Sequence, residues 1–504
     1  MINLPLLFSG LLLIALARAD DWPQWGRTNE RNMYSPETGL PSSFDPGKFK
    51  LGTEEVDLST TKNVKWVAKL GSQSYGNVTV ANGHICIGTN NDAPRDPQHQ
   101  GDRGVLMCFD EKSGGFLWQL VVPKLASGKV NDWESLGILS SPTQDDKHVY
   151  LVTNRCEVVT LTADGLGKDN VGPFIDEAKY VTGPGKPPGK VGAKDADMVW
   201  RYDMIDELGV FPHNASNCSL LILEDEIIST TSNGQDWSHT NIPSPNAPTL
   251  IALDKKTGKF LGEDDAHMGP KIFHGIWCSP SAGKVNGKTQ VFFGGPDGFL
   301  YGFDPKPVKE GDDLHLKRVW WCDANPAGYR ANKYPAAKGP SEINATPVFY
   351  NNRVYVATGQ DPEHGEGIGN LICVDPTKSG DITKTGIIWS YNKIHRSLST
   401  CAITPDGLLF VGDFSGFVHC LDAATGKVHW VHDMKAHIWG SALVADGKVY
   451  IGTEDGTLAV FAASKEKKKL AEIDMGAPVY ATPVVANGVL YIQTTTHLYA
   501  ISKP

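Results

Sequence analysis

Short apolar runs that alternate with polar residues fill the chain from Asn63 onward, and glycine-bearing turns separate them. The segment Leu409–Trp430 shows this most clearly: an apolar run, a glycine turn at 412–416, an alternating run and a tight turn at 422–427 follow one another. Alternation bounded by turns of Gly, Asp and Thr is typical of antiparallel strands. The pattern therefore predicts an all-β protein built of short strands.

The same pattern recurs in eight copies along the chain. The first strands of the copies begin at Tyr75, Leu139, Asn217, Trp277, Asn344, Ser399, Trp439 and Tyr480. The last three starts are about 40 residues apart, which is the length of one propeller blade of four strands, and inserted loops lengthen the earlier intervals. The sequence predicts an eight-bladed β-propeller of four-stranded antiparallel blades.

A lone strand at Asn63–Leu70 precedes the first copy, whereas the last copy has only three strands. Trp66 in the lone strand matches a Trp near the end of most other copies. Those residues are Trp118, Trp200, Trp320, Trp389 and Trp430. We therefore expect the N-terminal strand to complete the last blade, which would pair both free edges. Copies three and seven lack this Trp, so we expect looser blade packing there.

The chain ahead of the propeller divides into two predicted segments. Residues 1–19 resemble a signal peptide, because an apolar stretch at Leu4–Leu16 precedes the small-residue cleavage site Ala17–Ala19. A signal peptide implies a periplasmic or secreted protein. The alternative is that this segment forms a buried first strand. Residues 20–59 form an N-terminal arm in which Trp22 and Trp25 are expected to pack onto the body or to bind carbohydrate.

The propeller is predicted to span residues 60–504, with a Gly-, Pro- and Lys-rich insert at 163–198 that is expected to be a surface excursion.

The net charge of -10 provides no basic stripe, which argues against a nucleic-acid partner. No stretch after the signal is long and apolar enough to span a membrane. The nine cysteines have no metal or haem spacing and most fall in apolar strand patterns, where small buried side chains are expected. We expect a monomer.

Loop lengths distinguish the two faces of the predicted propeller. The turns between first and second strands (A–B turns) are minimal, as at 81–83 and 445–447, and they share a face with the C–D turns. The B–C loops at 90–104 and 232–248 and the D–A loops between blades are much longer and share the other face. Long loops on a rigid scaffold are where binding sites lie, so we expect any ligand on this loop-rich face.

Each first strand opens with a side chain near the axis of the loop-rich face. The aromatic and amide members are Tyr75, Asn217, Trp277, Asn344, Trp439 and Tyr480. Such a ring either plugs the channel or binds a flat ligand by stacking and edge hydrogen bonds. Four histidines precede these positions, and His239 and His364 lie in long loops of the same face. The four are His213, His274, His395 and His437, and they bind metal, relay protons or cap loops.

An acidic glycine-rich loop at 359–370 offers candidate metal ligands. They are Asp361, Glu363, His364 and Glu366. Hard cations prefer several carboxylates, but the spacing does not match a calcium-binding EF-hand, and a solvated acidic loop is the alternative. Arg155, Glu157, Glu134, Arg396 and Lys435 add charge to the same face.

The motif L-D-A-x-T-G-x-x-x-W at Leu421–Trp430 resembles the repeat of pyrroloquinoline-quinone (PQQ)-like propellers, and 108–118 and 253–259 are poorer copies. The resemblance covers nearly all of the chain after the signal. Relatives of this kind include quinoprotein alcohol dehydrogenases and the lipoprotein scaffold of outer-membrane protein assembly. The opening DWPQW and the loop GQDPEHGEG also resemble secreted PQQ-repeat proteins of planctomycete-type bacteria.

Two functions follow from this resemblance. One is a binding or scaffold module whose loop-rich face takes a protein, a glycan or a small molecule. The other is a quinoprotein oxidoreductase acting on an alcohol or sugar, with PQQ stacked on Trp277 or Trp439, Ca²⁺ nearby, and Asp361 or Asp413 as base. The dehydrogenases use a vicinal disulfide, and no two cysteines are adjacent here.

Overall fold

The computed structural model describes residues 20–167, 170, 172–326, 341–360 and 368–503. The predicted signal at 1–19 lies outside these residues. The described chain forms an eight-bladed propeller of four-stranded antiparallel blades, as predicted, with few and short helices. These helices are Leu58–Thr60, Glu177–Tyr180, Met204–Leu208 and Gly269–Lys271.

The blades follow one another along the chain, and each first strand lies innermost. Blade 1 contains Thr79–Ala81, His84–Asn90, Arg103–Asp110 and Phe116–Pro123; blade 2 contains Thr143–Gln144, His148–Val152, Glu157–Thr162 and Met198–Asp203; blade 3 contains Leu221–Leu223, Glu226–Thr230, Leu250–Asp254 and Phe260–Asp264; blade 4 contains Ser281–Val285, Lys288–Gly294, Phe299–Phe303 and Arg318–Asp323. Blade 5 contains Val348–Tyr350, Arg353–Thr358, Asn370–Val374 and Ile387–Tyr391; blade 6 contains Ala402–Ile403, Leu408–Gly412, Phe417–Asp422 and Val428–Asp433; blade 7 contains Leu443–Ala445, Lys448–Gly452, Thr457–Ala462 and Lys469–Asp474; blade 8 contains Val484–Ala486, Val489–Gln493, His497–Ile501 and Val64–Lys69.

The N-terminal strand closes the circle. Val64–Lys69 pairs antiparallel with His497–Ile501, so that Ala68 lies opposite Leu498 and Trp66 lies opposite Ala500. The predicted closure is confirmed, and it joins the start of the propeller to its last strands by backbone hydrogen bonds.

Tryptophans of the fourth strands fasten neighbouring blades. Five of them donate from Nε1 to a backbone carbonyl in the C–D turn of the next blade, at 2.9–3.2 Å. They are Trp66, Trp118, Trp200, Trp389 and Trp430. The turn glycine allows the close approach: Gly426 has φ +70°, and a Cβ there would lie 2.7 Å from the Trp389 ring. The Thr-Gly turn and the Trp of the repeat motif are therefore the two halves of one contact between blades.

Short strands also lie outside the blades, and some of them cover blade edges. They are Tyr34–Ser35, Lys48–Phe49, Val56–Asp57, Val308–Glu310, Asp313–Leu316 and Gly380–Asp381. Asp313–Leu316 pairs parallel with the outer strand of blade 3, one of the two blades that lack the fourth-strand Trp. Gly380–Asp381 pairs in the same way with blade 4. A covered edge exposes fewer unpaired backbone groups to other chains.

The N-terminal arm crosses the axis on the face of the short A–B turns. Its backbone pairs with innermost strands of blades on opposite sides of the axis. The contacts include Trp22 with Val80, Pro23 with Gln144, Asn29 with Ala282, Glu30 with Phe349 and Met33 with Val444. Trp22 is 1% exposed, as expected of an aromatic packed on the body. The arm therefore closes one end of the axial channel.

The insert at 163–198 is packed more closely than a surface excursion. Glu177 is buried, the Tyr180 hydroxyl donates to Glu157 at 2.6 Å, and Arg103 donates to the Val181 carbonyl at 2.8 Å. The insert therefore lies along the outer side of blades 1 and 2. The nine cysteines are all buried, as their apolar surroundings led us to expect, and none of them forms a disulfide bond in the described chain.

Candidate functional site

A cavity of about 430 Å³ lies at the axis, and the predicted ring residues line it. Seven of the eight expected axis positions contribute side chains. They are Tyr75, Leu139, Asn217, Trp277, Asn344, Trp439 and Tyr480. We call this space the axial cavity.

Blade 6 departs from the expected register. Ser399 is fully buried and donates to the Gly440 carbonyl at 2.6 Å, while its neighbours Leu398 and Thr400 line the axial cavity. A shift of one residue moves every side chain of an extended segment to its other side, which accounts for the difference.

A ring of small polar side chains below these positions was not predicted. It consists of Asn77, Ser141, Ser219, Ser279, Thr346, Thr400, Ser441 and Thr482, which we call the hydroxyl belt. Seven belt residues donate from their backbone N–H to the side-chain oxygen of the belt residue in the next blade, and blade 8 is followed by blade 1. The donor–acceptor distances are 2.8–3.3 Å. Thr346 N donates to the Thr400 hydroxyl at 3.3 Å, and the Thr346 hydroxyl itself accepts from Trp25 Nε1 at 3.1 Å.

The belt satisfies backbone donors where the inner strands converge, because seven of its eight side-chain oxygens accept from a backbone N–H of the neighbouring blade. Trp25 of the arm also lines the axial cavity and so forms part of its floor. Trp133, Leu136 and Asn214 come from D–A loops and complete the lining. The sequence signal was present: every axis position of the cavity is followed two residues later by Ser, Thr or Asn.

One side of the cavity is a closed cluster of aromatic rings. Tyr75 stacks on Tyr480 with centroids 4.8 Å apart and an interplanar angle of 1°, and Trp439 contacts Tyr480 edge-on at 5.5 Å. Trp439 Nε1 donates to Glu454 at 2.7 Å. Burial raises the pKa of Tyr75 to about 12, with smaller contributions from Tyr480 and Glu454, so this hydroxyl stays protonated at neutral pH. We call Tyr75, Trp439 and Tyr480 the aromatic wall.

The side formed by blades 3 and 4 differs. The amide oxygens of Asn214 and Asn217 and the indole Nε1 of Trp277 are buried, and each lacks a hydrogen-bond partner among the described residues. A buried polar group without a partner is uncommon in folded proteins and indicates a role outside packing. We call these three residues the polar wall. It offers two acceptors and one donor to the axial cavity.

The predicted histidines separate into two groups. His213 and His274 lie together with His239, and their ring centroids are 4.2–5.0 Å apart. His395 and His437 lie elsewhere: His395 contacts Asp413 at 3.1 Å, and His437 stacks on Phe414 at 4.4 Å. Repeat position placed His213 and His274 at equivalent sites, but only the path of the 232–248 loop brings His239 to them.

Asp413, one predicted base, does not line the cavity. It is fully buried, and its carboxylate accepts from His419 Nε2 at 3.0 Å and from the Phe417 N–H at 3.0 Å. Burial alone would raise the pKa of Asp413, but the hydrogen bonds from His419 and the backbone outweigh it and hold the pKa below its ordinary value. A carboxylate with a lowered pKa is a weak base, and this one orders a turn. The other candidates, Asp361, Glu363, His364 and Glu366, lie outside the described residues.

The other charged residues of the loop-rich face mostly form ion pairs. Arg155 and Arg201 both contact the buried Glu157, at 3.3 and 2.6 Å. Lys435 contacts Asp433, and the Arg396 guanidinium lies 4.3 Å from the Phe414 ring centroid. These contacts stabilise loops.

The described lining of the axial cavity does not fit PQQ with Ca²⁺. PQQ carries several carboxylates, and Ca²⁺ prefers carboxylate ligands. Among the residues that the structure describes, the lining consists of aromatic, aliphatic, amide and hydroxyl side chains, with no Asp, Glu, Lys or Arg. The described lining therefore offers neither a cationic side chain to pair with the carboxylates of PQQ nor a carboxylate side chain to bind Ca²⁺.

Comparisons with known proteins confirm the predicted resemblance to PQQ-repeat propellers. Residues 384–469 match the PQQ-repeat family model described as outer membrane protein assembly factor BamB. A stretch of 107 residues is 25% identical to the quinohemoprotein alcohol dehydrogenase of Comamonas testosteroni; it is 19% of this chain and 15% of that enzyme. The chain thus spans a small part of the length of this curated relative in the sequence match. The resemblance to planctomycete-type proteins stays a prediction.

Solved structures share the fold. BamB from Moraxella catarrhalis is 13% identical, with 87% of this chain and 97% of that chain covered and a TM-score of 0.52. The Comamonas testosteroni quinohemoprotein alcohol dehydrogenase is 12% identical, with 97% and 81% covered and a TM-score of 0.60. A europium-containing methanol dehydrogenase is 10% identical, with 96% and 98% covered and a TM-score of 0.61. In the described ranges, no helix has the length and apolar character needed to cross a bilayer.

Proposed function

We propose that this protein is an extracytoplasmic binding propeller whose axial cavity takes a flat, uncharged ring that carries hydroxyl or amide groups, such as a sugar. The observation that carries the proposal is the pairing of the aromatic wall with the polar wall across one cavity. Aromatic rings supply a stacking surface, and fixed amides and an indole N–H supply orientation.

The size and charge of the cavity support this class of ligand. A volume of about 430 Å³ lies within the range of small-molecule sites, about 300–1,000 Å³. The described lining is uncharged, so a multiply charged ligand would lose its hydration without an opposite charge in return. A hydroxyl can donate to Asn217 and accept from Trp277, which gives both buried atoms a partner.

Binding of the full chain to an array of neutral glycans, followed by calorimetry on the best binder, tests the proposal. Asn217→Ala should weaken that binding by up to about tenfold, the value of one hydrogen bond. Lys427→Ala, in an exposed C–D turn on the opposite face, is the matched control and should leave affinity unchanged. Absence of any neutral ligand, or equal effects of the two substitutions, would contradict the proposal.

PQQ and Ca²⁺ are titrated in parallel, because the fold is shared with quinoprotein dehydrogenases. The uncharged lining supports the expectation that no tightly bound chromophore forms. Tight PQQ binding would favour the oxidoreductase alternative.

Capture of a protein partner without any glycan would favour a scaffold role. The proposed location is tested by fractionating cells that express the full chain.

A further inference from the structure

Three histidines from three loops meet at the edge of the axial cavity. His213 lies in the D–A loop before blade 3, His274 in the D–A loop before blade 4, and His239 in the B–C loop of blade 3. One ring nitrogen of each lies within 4.8 Å of the other two. We propose that this histidine trio binds a divalent transition-metal ion such as Zn²⁺.

The spacing of the nitrogens is close to that of a metal centre. Imidazole nitrogens bind zinc at about 2.0–2.1 Å, which places two tetrahedral ligands about 3.3 Å apart. The nitrogens of the trio lie within 4.8 Å of one another, so metal binding would draw them closer together. Imidazole favours zinc, copper, nickel and iron over calcium or magnesium, so the trio selects a borderline metal.

His213 is held in the orientation that a metal ligand requires. Its Nδ1 donates to the Gln235 carbonyl at 2.6 Å, so Nε2 is the unprotonated nitrogen of the neutral ring. Hydrogen bonds of this kind fix the tautomer and the ring plane of metal-binding histidines. The carbonyl belongs to the same loop as His239, so one loop supplies both a ligand and the group that orients another.

Backbone hydrogen bonds hold the three loops together without a metal. The Gly234 N–H donates to the Phe211 carbonyl at 2.9 Å, and the Gln235 N–H donates to the His274 carbonyl at 2.9 Å. A Cβ at Gly234 would lie 2.5 Å from the His213 Cβ, so this glycine permits the approach of the loops. The site is therefore assembled by the fold, and binding costs little reorganisation.

The three histidines differ in burial. His213 and His274 are 0% and 1% exposed, whereas His239 is half-buried. The His274 ring lies 5.3 Å from that of Trp277, so the site adjoins the polar wall. A tetrahedral zinc site has four ligands, so the three imidazoles would supply three of them.

Zinc titration of the full chain by calorimetry, after removal of metals with a chelator, tests the proposal. We expect one Zn²⁺ per chain. We also expect the visible absorption of tetrahedral Co²⁺ when Co²⁺ replaces zinc, and a rise in melting temperature because the ion binds the folded state. His239→Asn should weaken zinc binding at least tenfold. Asn is chosen because His239 has φ +54°, a left-handed conformation that Asn adopts readily.

His84→Asn is the matched control, since His84 lies beside a short A–B turn on the opposite face and is 22% exposed. It should bind zinc like the unchanged protein. Less than one equivalent of zinc, or the same affinity in His239→Asn and His84→Asn, would overturn the metal site. The zinc result is independent of the proposed glycan binding. Glycan binding is measured separately and is tested by substitutions in the polar wall.

Discussion

The two walls of the axial cavity use equivalent repeat positions in opposite ways. In the aromatic wall, Tyr75 and Tyr480 stack on each other and the Trp439 indole donates to Glu454. In the polar wall, Trp277 occupies the position equivalent to Trp439, yet its indole N–H has no partner in the part of the chain that the structure describes. The same residue type therefore packs in one blade and presents a hydrogen-bonding group in another.

Loop length explains this difference. Blades 7 and 8 follow blade 6 at the minimal interval of about 40 residues, and the rings of Trp439 and Tyr480 meet at 5.5 Å. Blades 3 and 4 carry long loops that surround their axis residues, and Asn214 and the histidine trio come from those loops. Short loops thus favour packing, and long loops favour recognition.

The largest expected effect is on stability in the aromatic wall. Trp439→Ala removes contacts with Tyr75, Tyr480 and Phe414 and the bond to Glu454, and we expect it to lower the free energy of unfolding by about 3 kcal/mol. Denaturant unfolding measures this. A loss below about 1 kcal/mol would show that the aromatic wall does not pack as described.

The next largest expected effect is the loss of stability on replacing Arg31, at the floor of the cavity. Arg31 of the arm is fully buried and donates to the carbonyls of Trp25, Leu220 and Pro280 at 2.6–3.1 Å. Burial lowers the pKa of Arg31 to about 10, so the side chain is still charged at neutral pH. Arg31→Met fills a similar space but leaves those carbonyls without the donor, and we expect a loss of about 2 kcal/mol in unfolding free energy.

Because Arg31 contacts blades 3 and 4, its loss should also disturb the polar wall more than the aromatic wall. Arg27→Met, a more exposed arginine of the same arm, is the control and should have little effect on stability. Equal losses in the two variants would show that the arm as a whole, and not the buried guanidinium, fastens the floor.

The repeat count, the closure by Val64–Lys69 and most axis positions could be predicted from the sequence. These features follow from periodicity, which is local: strand alternation and turn residues fix each blade, and blade stacking does the rest. The hydroxyl belt was equally local and was missed, because Ser141 or Ser441 taken singly is an ordinary strand residue.

The differences between the walls could not be predicted in this way. His239 reaches His213 and His274 through the fold of a 17-residue loop at 232–248, and no periodic signal describes that path. Whether a Trp donates to a partner depends on what the neighbouring blade places beside it, as Glu454 shows for Trp439. Ser399 was misplaced by one residue because strand ends carry little register information.

Replacing Trp277 by Phe should separate recognition from packing. Trp277→Phe keeps an aromatic ring but removes Nε1, which has no partner among the described residues. We therefore expect the free energy of unfolding to change by less than about 0.5 kcal/mol and the affinity for a neutral ring ligand to fall by about tenfold. Trp439→Phe is the matched variant: it removes a bond to Glu454 and should lower stability by about 1 kcal/mol.

The smallest expected effect concerns alkaline pH and belongs to the aromatic wall. The pKa of Tyr75 in the folded protein is about 12, chiefly because the ring is buried, and its ordinary value is 10. A raised pKa contributes stability that is complete below about pH 10 and is lost as the pH rises toward 12, since the unfolded chain releases this proton first. Tyr75→Phe removes that proton, so the variant should lose less stability than the unchanged protein over this range. Urea unfolding at several pH values from neutral to alkaline measures both slopes, and identical slopes would show that solvent reaches the Tyr75 hydroxyl. The polar wall contains no tyrosine, so ligand affinity should stay constant from neutral pH to pH 9 if recognition resides there.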